Sequence, residues 1–310
     1  MKHRIPEGWH GRPHFGRQDQ VKRQLRRLGL LLTAIITLIC AGAWPAVAIT
    51  GGDQDGNRHP NVGLIAFYEK GDGPLGGGGP FSCSATLISP TVLLTAGHCT
   101  SGTTGVTLVT FKTFIAEDHA HDPVPQAADP SAGYTRKELD SAGFLWGTPI
   151  VHPAYSNGND LKNWNDVGII VLNKPVRNIE PAKLAPAGYL DQFAQPILNQ
   201  TLFELVGYGT EVRKPESGPQ KPQPLLYPNF RRYTTAPGQR LTPQILQLQG
   251  NPNDNRGGGG SCFGDSGGPA FLNGYVVAVS SFVLSPNCRY IDGYQRVDIP
   301  SVQDWLAKYV

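Results

Sequence analysis

From residue 51 onward the chain consists of short apolar runs separated by turn-forming residues, and this pattern limits the folds available to it. The runs are rich in β-branched and aromatic side chains, which is typical of β-strands, and the 38 glycines and 27 prolines supply frequent turns. The clearest predicted strands are Val62–Tyr68, Ala85–Ile88, Val92–Leu94, Val167–Leu172, Phe203–Val206 and Tyr275–Ser280. No long amphipathic helical pattern interrupts them. The sequence therefore predicts an all-β barrel or sandwich.

Only the C-terminal tail has the period of a helix. Pro300 and Ser301 are typical of a helix start. The apolar residues that follow recur at i, i+3, i+4 and i+7 and share one face: Val302, Trp305, Leu306 and Tyr309. We expect a helix over about residues 299–310.

Three motifs point to one kind of chemistry. The sequence GDSGGP at residues 264–269 holds a nucleophilic hydroxyl in a glycine-rich turn, where the amides of Gly264 and Ser266 can converge on one carbonyl oxygen. The sequence LTAGHC at residues 94–99 contains His98, whose imidazole can take the proton of a serine hydroxyl. In WNDVGIIVL at residues 164–172, Asp166 can fix the imidazole tautomer and stabilise the imidazolium.

These motifs, and the chain order His98, Asp166, Ser266, resemble those of the chymotrypsin-like (trypsin-fold) serine proteases. The resemblance covers roughly residues 49–310. It implies two six-stranded antiparallel β-barrels packed together, with the first barrel at about 49–180, the second at about 181–297 and a C-terminal helix at about 299–310. The catalytic cleft would lie between the barrels. In VGYGT at residues 206–210, Tyr208 replaces the Trp of the family's Gly-Trp-Gly segment.

Residues 1–48 differ in composition from the rest of the chain. They hold eight Lys or Arg and two acidic residues, with an apolar run over about 28–43 and then Ala46-Val47-Ala48. This layout predicts a secretory signal with a small-x-small cleavage site, and an uncleaved membrane anchor is the alternative. The remaining chain keeps 19 of the 27 basic and 22 of the 24 acidic residues. Its net charge of −3 gives no reason to expect nucleic-acid binding.

Of five cysteines, four remain once Cys40 leaves with the signal. An even number in an exported chain indicates disulfides, and four cysteines allow three pairings. The family resemblance implies two particular bridges, Cys83 with Cys99 and Cys262 with Cys288. No Cys-x-x-Cys spacing suggests a metal, and the segment 119–122, His-Ala-His-Asp, has the surroundings of a solvated loop. We expect neither metal nor cofactor.

The sequence ITGG at residues 49–52 resembles the mature N terminus of the family. The resemblance implies that the freed ammonium of Ile49 pairs with Asp265 and orders the oxyanion loop; loss of either partner of such a buried pair is costly. Because Ile49 directly follows Ala48, the export peptidase could itself generate this ammonium. We expect activity on secretion without a separate zymogen step.

Substrate preference has two interpretations. Gly260 lies six residues before the nucleophile, where the family has the floor of its primary pocket, and a neutral floor would favour apolar or small side chains. Alternatively, alignment of the segment 293–297 places Asp292 near the same floor, where a carboxylate could bind a basic side chain; Asp292 could equally be a solvated turn residue. The expected pocket wall consists of Ser281, Phe282 and Val283. The β-branched Val283 would narrow the entrance.

Two stretches, 112–148 and 211–260, are longer than a compact family member needs. They could restrict substrate entry or be tolerated insertions. The family resemblance implies a serine endopeptidase that acts on protein or peptide substrates through an acyl-enzyme. The signal layout predicts that it is secreted, and we expect a monomer. A membrane contact is expected only through an uncleaved signal segment. The alternatives are a non-catalytic binding or adhesion protein of this fold and a serine hydrolase that acts on esters only.

Overall fold

The computed structural model of the chain describes residues 49–70, 79–213 and 221–310. The expected signal segment lies outside the described residues. In the described part, no helix has the length and apolar character needed to cross a membrane.

The secondary structure is dominated by strands. They are β1 (Asp53–Gln54), β2 (Val62–Glu69), β3 (Phe81–Ser89), β4 (Val92–Thr95), β5 (Thr103–Thr110), β6 (Phe114–Ala116), β7 (Leu145–Val151), β8 (Gly168–Leu172), β9 (Lys183–Leu184), β10 (Leu202–Gly207), β11 (Glu211–Arg213), β12 (Gln223–Leu225), β13 (Asn229–Phe230), β14 (Arg232–Leu241), β15 (Ile245–Gln249), β16 (Pro269–Leu272), β17 (Tyr275–Val283) and β18 (Ile291–Arg296). The α-helices are α1 (Arg136–Ser141) and α2 (Pro300–Leu306), and short 3-10 turns occupy His119–His121, Tyr189–Phe193 and Leu198–Gln200.

These strands form two antiparallel barrels of six strands each. The first has the order β2-β3-β4-β8-β7-β5 and closes where β5 pairs with β2. The second has the order β14-β10-β16-β17-β18-β15 and closes where β15 pairs with β14. Strands β1 and β9 add to the second barrel at β14 and β17. The predicted fold class is confirmed.

The alternation of side chains along β4 explains how one strand serves two cores. Leu93 belongs to the core inside the first barrel, together with Ile65 and Ile170. The next residue, Leu94, faces the other way and belongs to a cluster that includes Val206 of the second barrel. Burial on both faces accounts for the almost unbroken apolar sequences of β2, β4 and β8.

The C-terminal helix α2 packs in the same buried cluster as Leu94 of the first barrel and Val206 of the second. Val302, Trp305 and Leu306 are buried, as their predicted spacing requires. The helix ends at Leu306, earlier than the predicted 310, and the last residues form a turn in which Tyr309 still packs on Trp305. The apolar pattern therefore predicts which side of the helix is buried more accurately than it predicts where the helix ends.

The two long stretches contain ordered structure and contact one another. In the first, Tyr134 is buried and α1 begins with a capping box formed by Thr135 and Glu138. Strand β6 in this stretch pairs with β13 in the second. The segment 119–122 contains the 3-10 turn His119–His121, and His121 is hydrogen-bonded to Asp118 just before it.

A buried arginine joins the two barrels. Arg231 donates from Nε to Asp55 (2.8 Å) and from Nη1 to the carbonyl of Val62 (2.9 Å). Nη1 also reaches the hydroxyl of Tyr208 (3.3 Å), which in turn donates to the carbonyl of Lys112 (2.9 Å). Through its hydroxyl, Tyr208 therefore takes part in the hydrogen bonds that connect the two barrels. This is what a tyrosine contributes at position 208.

Two contacts of His59 with carboxylates extend this network to the surface. His59 contacts Asp55 through Nδ1 (2.5 Å) and Glu204 of β10 through Nε2 (3.2 Å), and its ring stacks on Phe271. Burial disfavours the imidazolium, but the two carboxylates outweigh it and raise the pKa of His59 to about 9. Burial likewise opposes ionisation of Asp55, yet His59 and Arg231 lower its pKa to about 2.

Candidate active site

His98 and Asp166 meet because their strands are neighbours. Strand β4 ends and β8 begins at the same edge of the first barrel, with Thr95 opposite Gly168. His98 follows β4 and Asp166 precedes β8, so the pairing brings both to one place. The ring Nδ1 of His98 lies 2.9 Å from Oδ2 of Asp166, and the backbone amide of His98 donates to Oδ1 (2.8 Å). Gly97 permits this approach, since a Cβ there would lie 3.0 Å from the Val167 nitrogen.

Asp166 is buried and its orientation is fixed from the second barrel. The hydroxyl of Ser281 donates to Oδ2 (2.6 Å), and the amide of Asp166 donates to the side-chain oxygen of Gln295 (3.1 Å). The indole of Trp164 donates to Ser281 in turn (2.8 Å). Ser281 was expected in a pocket wall, and the structure shows that it contacts the Asp166 carboxylate. Gln295 and Trp164 were not predicted as site residues, because neither carries chemistry visible in the sequence.

The imidazole of His98 is held between a buried carboxylate and open space. Its side chain is 35% exposed, so the edge away from Asp166 can reach a substrate. Burial disfavours its charged form, but the hydrogen bond and charge of Asp166, with the charge of Glu69, raise the pKa of His98 above its usual value. The ring is therefore suited to take up a proton and to hold it.

Ser266 lies in a turn that is fixed against the first barrel. Its carbonyl accepts a hydrogen bond from the amide of Ser84 on β3 (2.8 Å). The neighbouring Gly267 has φ +76, and a Cβ there would lie 2.0 Å from Oγ1 of Thr95 at the end of β4. Glycine is needed for both the angle and the contact. The contact keeps the turn close to the segment that carries His98.

His98 and Ser266 line one cavity of about 460 Å³. Among the described residues, no hydrogen bond joins the Ser266 hydroxyl to the His98 ring. Such bonds are often long in the absence of substrate. The structure thus connects Asp166 directly to His98, and brings Ser266 to the same cavity as the imidazole.

The backbone around the hydroxyl presents two amides. Gly264 has φ +94, a left-handed angle suited to glycine. In the described part of the chain, the N–H groups of Gly264 and Ser266 donate to no acceptor, whereas those of Asp265, Gly267 and Gly268 are all hydrogen-bonded. Unpaired amides are rare in folded proteins, and two on either side of a nucleophile can bind an oxyanion.

Ser84 supports this turn and was missed by the sequence analysis. Its hydroxyl donates to the carbonyl of Gly264 (3.0 Å) and accepts from the amide of Tyr208 (3.0 Å). It is fully buried on β3, next to Cys83. A serine inside an apolar strand gives no sequence signal that distinguishes this role from ordinary packing.

Asp265 is buried beside the same turn. Its carboxylate accepts from the amides of Gly209 (2.8 Å) and Cys262 (2.9 Å). Burial raises its pKa to about 6, although these two amides and the charge of Arg232 oppose the rise. A Cβ at Gly207 would lie 2.2 Å from the carboxylate, so the motif at 206–210 needs glycine there.

The segment that begins at Ile49 packs against residues 258–260, which precede the turn that carries Ser266. Ile49 is buried, and Thr50 forms a β-bridge with Gly260 in which the Gly260 amide donates to the Thr50 carbonyl (3.1 Å). Among the described residues, no hydrogen bond joins Ile49 to Asp265. In the chain as described, the nitrogen of Ile49 is part of a peptide bond.

Asp292 lies directly beside Gly260. It is fully buried on β18, not in a solvated turn, and accepts from the amide of Ser261 (2.6 Å). A Cβ at Gly260 would lie 2.4 Å from Oδ2 of Asp292. Burial, aided by the charge of Asp265, raises the pKa of Asp292 to about 8 against the hydrogen bonds of Ser261. The space that glycine leaves at position 260 is therefore filled by a carboxyl group.

The other expected pocket residues lie on β17. Phe282 turns its ring onto Gly293, where a Cβ would lie 2.2 Å from it, and stacks edge-on with Trp164. Val283 is half-buried opposite Asp292. None of Gly260, Ser281, Phe282, Val283 and Asp292 lines the cavity that holds His98 and Ser266.

Two disulfides flank the site. Cys83–Cys99 joins β3 to the residue after His98, and Cys262–Cys288 lies beside the turn that carries Ser266. The sulfurs of the first bridge lie near the His98 ring, and since both are already bonded to each other they are not free thiolate ligands for a metal.

The fold and the site together define a class of protein: two antiparallel barrels with a serine, a histidine and an aspartate at their junction. Residues 75–306 match the family described as Trypsin. The chain belongs to the trypsin family.

Similar proteins are distant in sequence but cover most of the chain. The snake venom serine protease CL2 of Trimeresurus stejnegeri is 26% identical over 84% of this chain and 87% of its own length. Brachyurin of Leptuca pugilator is 28% identical over 73% of this chain and 86% of its own length. The solved structure of the scabies mite inactivated protease paralogue S-D1 has a TM-score of 0.55 at 14% identity and covers 84% of this chain and 99% of that one. This last likeness concerns the fold alone.

Proposed function

We propose that this chain is a secreted serine endopeptidase that hydrolyses peptide bonds through an acyl-enzyme. The observation that carries the proposal is the pair of unpaired amides at Gly264 and Ser266, in a turn whose hydroxyl shares a cavity with a carboxylate-bound imidazole. A peptide carbonyl placed against these amides would present its carbon to the Ser266 oxygen. Binding of the oxyanion is usually the largest single contribution to such catalysis.

The proposed reaction proceeds in two halves. His98 removes the proton of the Ser266 hydroxyl as its oxygen attacks the carbonyl carbon, and the amides hold the resulting oxyanion. His98 then passes the proton to the leaving amine, and the acyl group stays on Ser266. Water, deprotonated by His98, releases the acyl group and restores the hydroxyl. Asp166 remains ionised and holds the ring through Nδ1.

We further infer that the active chain begins at Ile49. The burial of Ile49 and the bridge from Thr50 to Gly260 support a docked N terminus at this point. The freed ammonium would offer Asp265 a charged partner in addition to its two amides. N-terminal sequencing of the secreted protein tests this: a start well before Ile49, followed by a second cut, would contradict direct activation on export.

The test of the proposed activity is Ser266→Ala. We expect it to lower peptide turnover by about 10⁶ and to abolish labelling by a mechanism-based serine reagent. Ser131→Ala, at an exposed serine outside the three motifs and outside the cavity, is the matched control and should change neither. Absence of labelling in the folded wild-type protein would instead support a binding protein, and turnover of esters without peptides would support an esterase.

A further inference from the structure

The cavity that holds His98 and Ser266 is otherwise formed by the first barrel. Its lining includes Phe67, Phe81 and Glu69, with Tyr155 on the loop before Asp166. Among the described residues, Glu69 is the only carboxylate in this lining. The sequence analysis did not single it out, because a glutamate followed by a lysine at a strand end is typical of a solvated surface.

In the described part of the chain, Glu69 is not paired with a lysine or an arginine. It is half-buried at the end of β2. Burial raises the pKa of Glu69, and the positive charge that His98 can carry opposes the rise. A partly buried carboxylate without a partner gains more from a bound cation than a solvated one does.

The position of the cavity identifies which part of a substrate would enter it. In the proposed mechanism His98 gives its proton to the leaving amine, so the leaving segment lies on the His98 side of Ser266. The five residues expected to bind the acyl side do not line this cavity: Gly260, Ser281, Phe282, Val283 and Asp292. The cavity therefore faces the residue that follows the scissile bond.

The walls of the cavity suit a long side chain with a charged end. Phe67 and Phe81 stack with their ring centroids 5.9 Å apart and provide an apolar wall. Lysine and arginine bury their methylene stems along such surfaces while the charged end seeks a polar partner. Here that partner is Glu69, with Tyr155 in the same lining.

We propose that Glu69 selects substrates with lysine or arginine immediately after the scissile bond. This inference rests on the proposed peptidase function and names a substrate preference of that site. It concerns the leaving side only, and is independent of whether Asp292 binds a basic side chain on the acyl side.

The test uses the secreted protein and a set of peptides that differ only in the residue after the scissile bond: Lys, Arg, Gln, Leu or Glu. Mass spectrometry confirms the cleaved bond. We expect kcat/KM to be about tenfold higher for Lys or Arg than for Gln, and lowest for Glu. Glu69→Gln should reduce the advantage of Lys to within about threefold, and Glu69→Lys should make the Glu peptide the better substrate. Glu117→Gln, at an exposed glutamate outside the cavity, should keep the wild-type order.

The outcomes separate this inference from the proposed function. If wild type cleaves the peptides without preferring Lys or Arg over Gln, or if Glu69→Gln retains the full preference, the role of Glu69 is wrong while the peptidase assignment stands. If no peptide is cleaved and Ser266 is not labelled, the peptidase assignment itself fails. Labelling of Ser266 in each variant shows that it has folded, and the wild-type order alone decides the matter if a variant does not fold.

Discussion

Single side chains determine whether the two barrels present one working site. The hydroxyl of Ser84 is an example, because it holds the Gly264 carbonyl and the Tyr208 amide at once. The Ser281 hydroxyl similarly reaches from β17 to Asp166 of the other barrel. Both are small, buried and hydrogen-bonded groups at the junction. Loss of such a group leaves buried partners unsatisfied.

We predict that Ser84→Ala lowers both stability and activity. The carbonyl of Gly264 and the amide of Tyr208 would each lose a partner, which should cost about 1 to 3 kcal/mol in the free energy of unfolding. Since the amide of Gly264 belongs to the proposed oxyanion site, we also expect kcat to fall with little change in KM. Urea denaturation and peptide kinetics measure the two effects. Ser89→Ala, at the half-buried end of the same strand, provides the comparison, and equal kcat values for the two variants would contradict the prediction.

The pH dependence of activity should report the surroundings of His98. The base must be neutral to act, so kcat/KM falls as the pH drops through the pKa of His98, which Asp166 and Glu69 hold above its usual value. Glu69→Gln removes one of these two charges, and therefore the acid limb of the profile should move to lower pH. A limb that stays in place, or moves to higher pH, would show that Glu69 does not act on the imidazole.

Asp292 gives a test of preference on the acyl side. Its Oδ1 has no hydrogen-bond partner among the described residues, and its neighbour Gly260 adds no side chain. We expect peptides with Lys or Arg before the scissile bond to be cleaved faster than those with Leu, and Asp292→Asn to reverse this order. Faster cleavage after Leu than after Lys or Arg in the wild type would instead favour the neutral-pocket interpretation of Gly260, and an unchanged order in the variant would show that Asp292 does not set the preference.

The reacting residues could be predicted from sequence, whereas their supports could not. His98, Asp166 and Ser266 each lie in a local motif, because each needs a particular backbone shape around it. Glu69 and Gln295 lack such motifs and reach the site through strand pairing between distant segments. Asp292 was ambiguous because Asp-Gly is a common turn pair, and only the pairing of β18 with β15 shows that it is buried in a strand.

Among the strands, the local sequence pattern predicted those whose side chains are buried in a core. The predicted strand Val62–Tyr68 corresponds to β2, and Val92–Leu94 lies within β4. Strand β14 was not predicted, because it contains Pro237 and Gly238, which usually end strands. The pairings of β14 with β10 and β15 override this local signal. Likewise, the pairing of β6 with β13 has no signature in either segment.

We predict that the disulfide between Cys83 and Cys99 makes a measurable contribution to the free energy of unfolding. Cys83 and Cys99 are 16 residues apart, and opening this loop in the double variant Cys83→Ala/Cys99→Ala should lower the free energy of unfolding by about 3 kcal/mol. Urea denaturation measures the change. The bridge between Cys262 and Cys288, 26 residues apart, is the matched comparison and should contribute about 3.5 kcal/mol. A loss below 1 kcal/mol at the first bridge would contradict the prediction.

Buried charged side chains connect the segment before β2 to both barrels. Arg231 links Asp55 to Val62 and Tyr208, and His59 links Asp55 to Glu204. Charged groups are retained in such an interior only when their partners satisfy them. The molecule's response to pH should therefore depend on these few groups rather than on its net charge.

We predict an alkaline loss of stability that depends on His59. Its pKa is about 9 in the folded chain against 6.5 as the ordinary value, so its contribution is complete below pH 6.5 and disappears as the pH rises through 9. His59→Gln should destabilise the protein by about 2 to 3 kcal/mol at pH 6 and much less at pH 10. Urea denaturation at both pH values measures this. His121→Gln, at an exposed histidine paired with Asp118, should have little effect at either pH; a pH-independent loss in His59→Gln would indicate packing instead.

The pairing of β6 with β13 joins the two long insertions of the chain, residues 112–148 and 211–260. Each of the two insertions supplies one half of a ladder whose other half lies more than a hundred residues away along the chain. A chimera that receives only one insertion from a relative would leave unmatched backbone donors and acceptors on the half that stays. The two insertions should therefore be inherited, exchanged or trimmed as a unit.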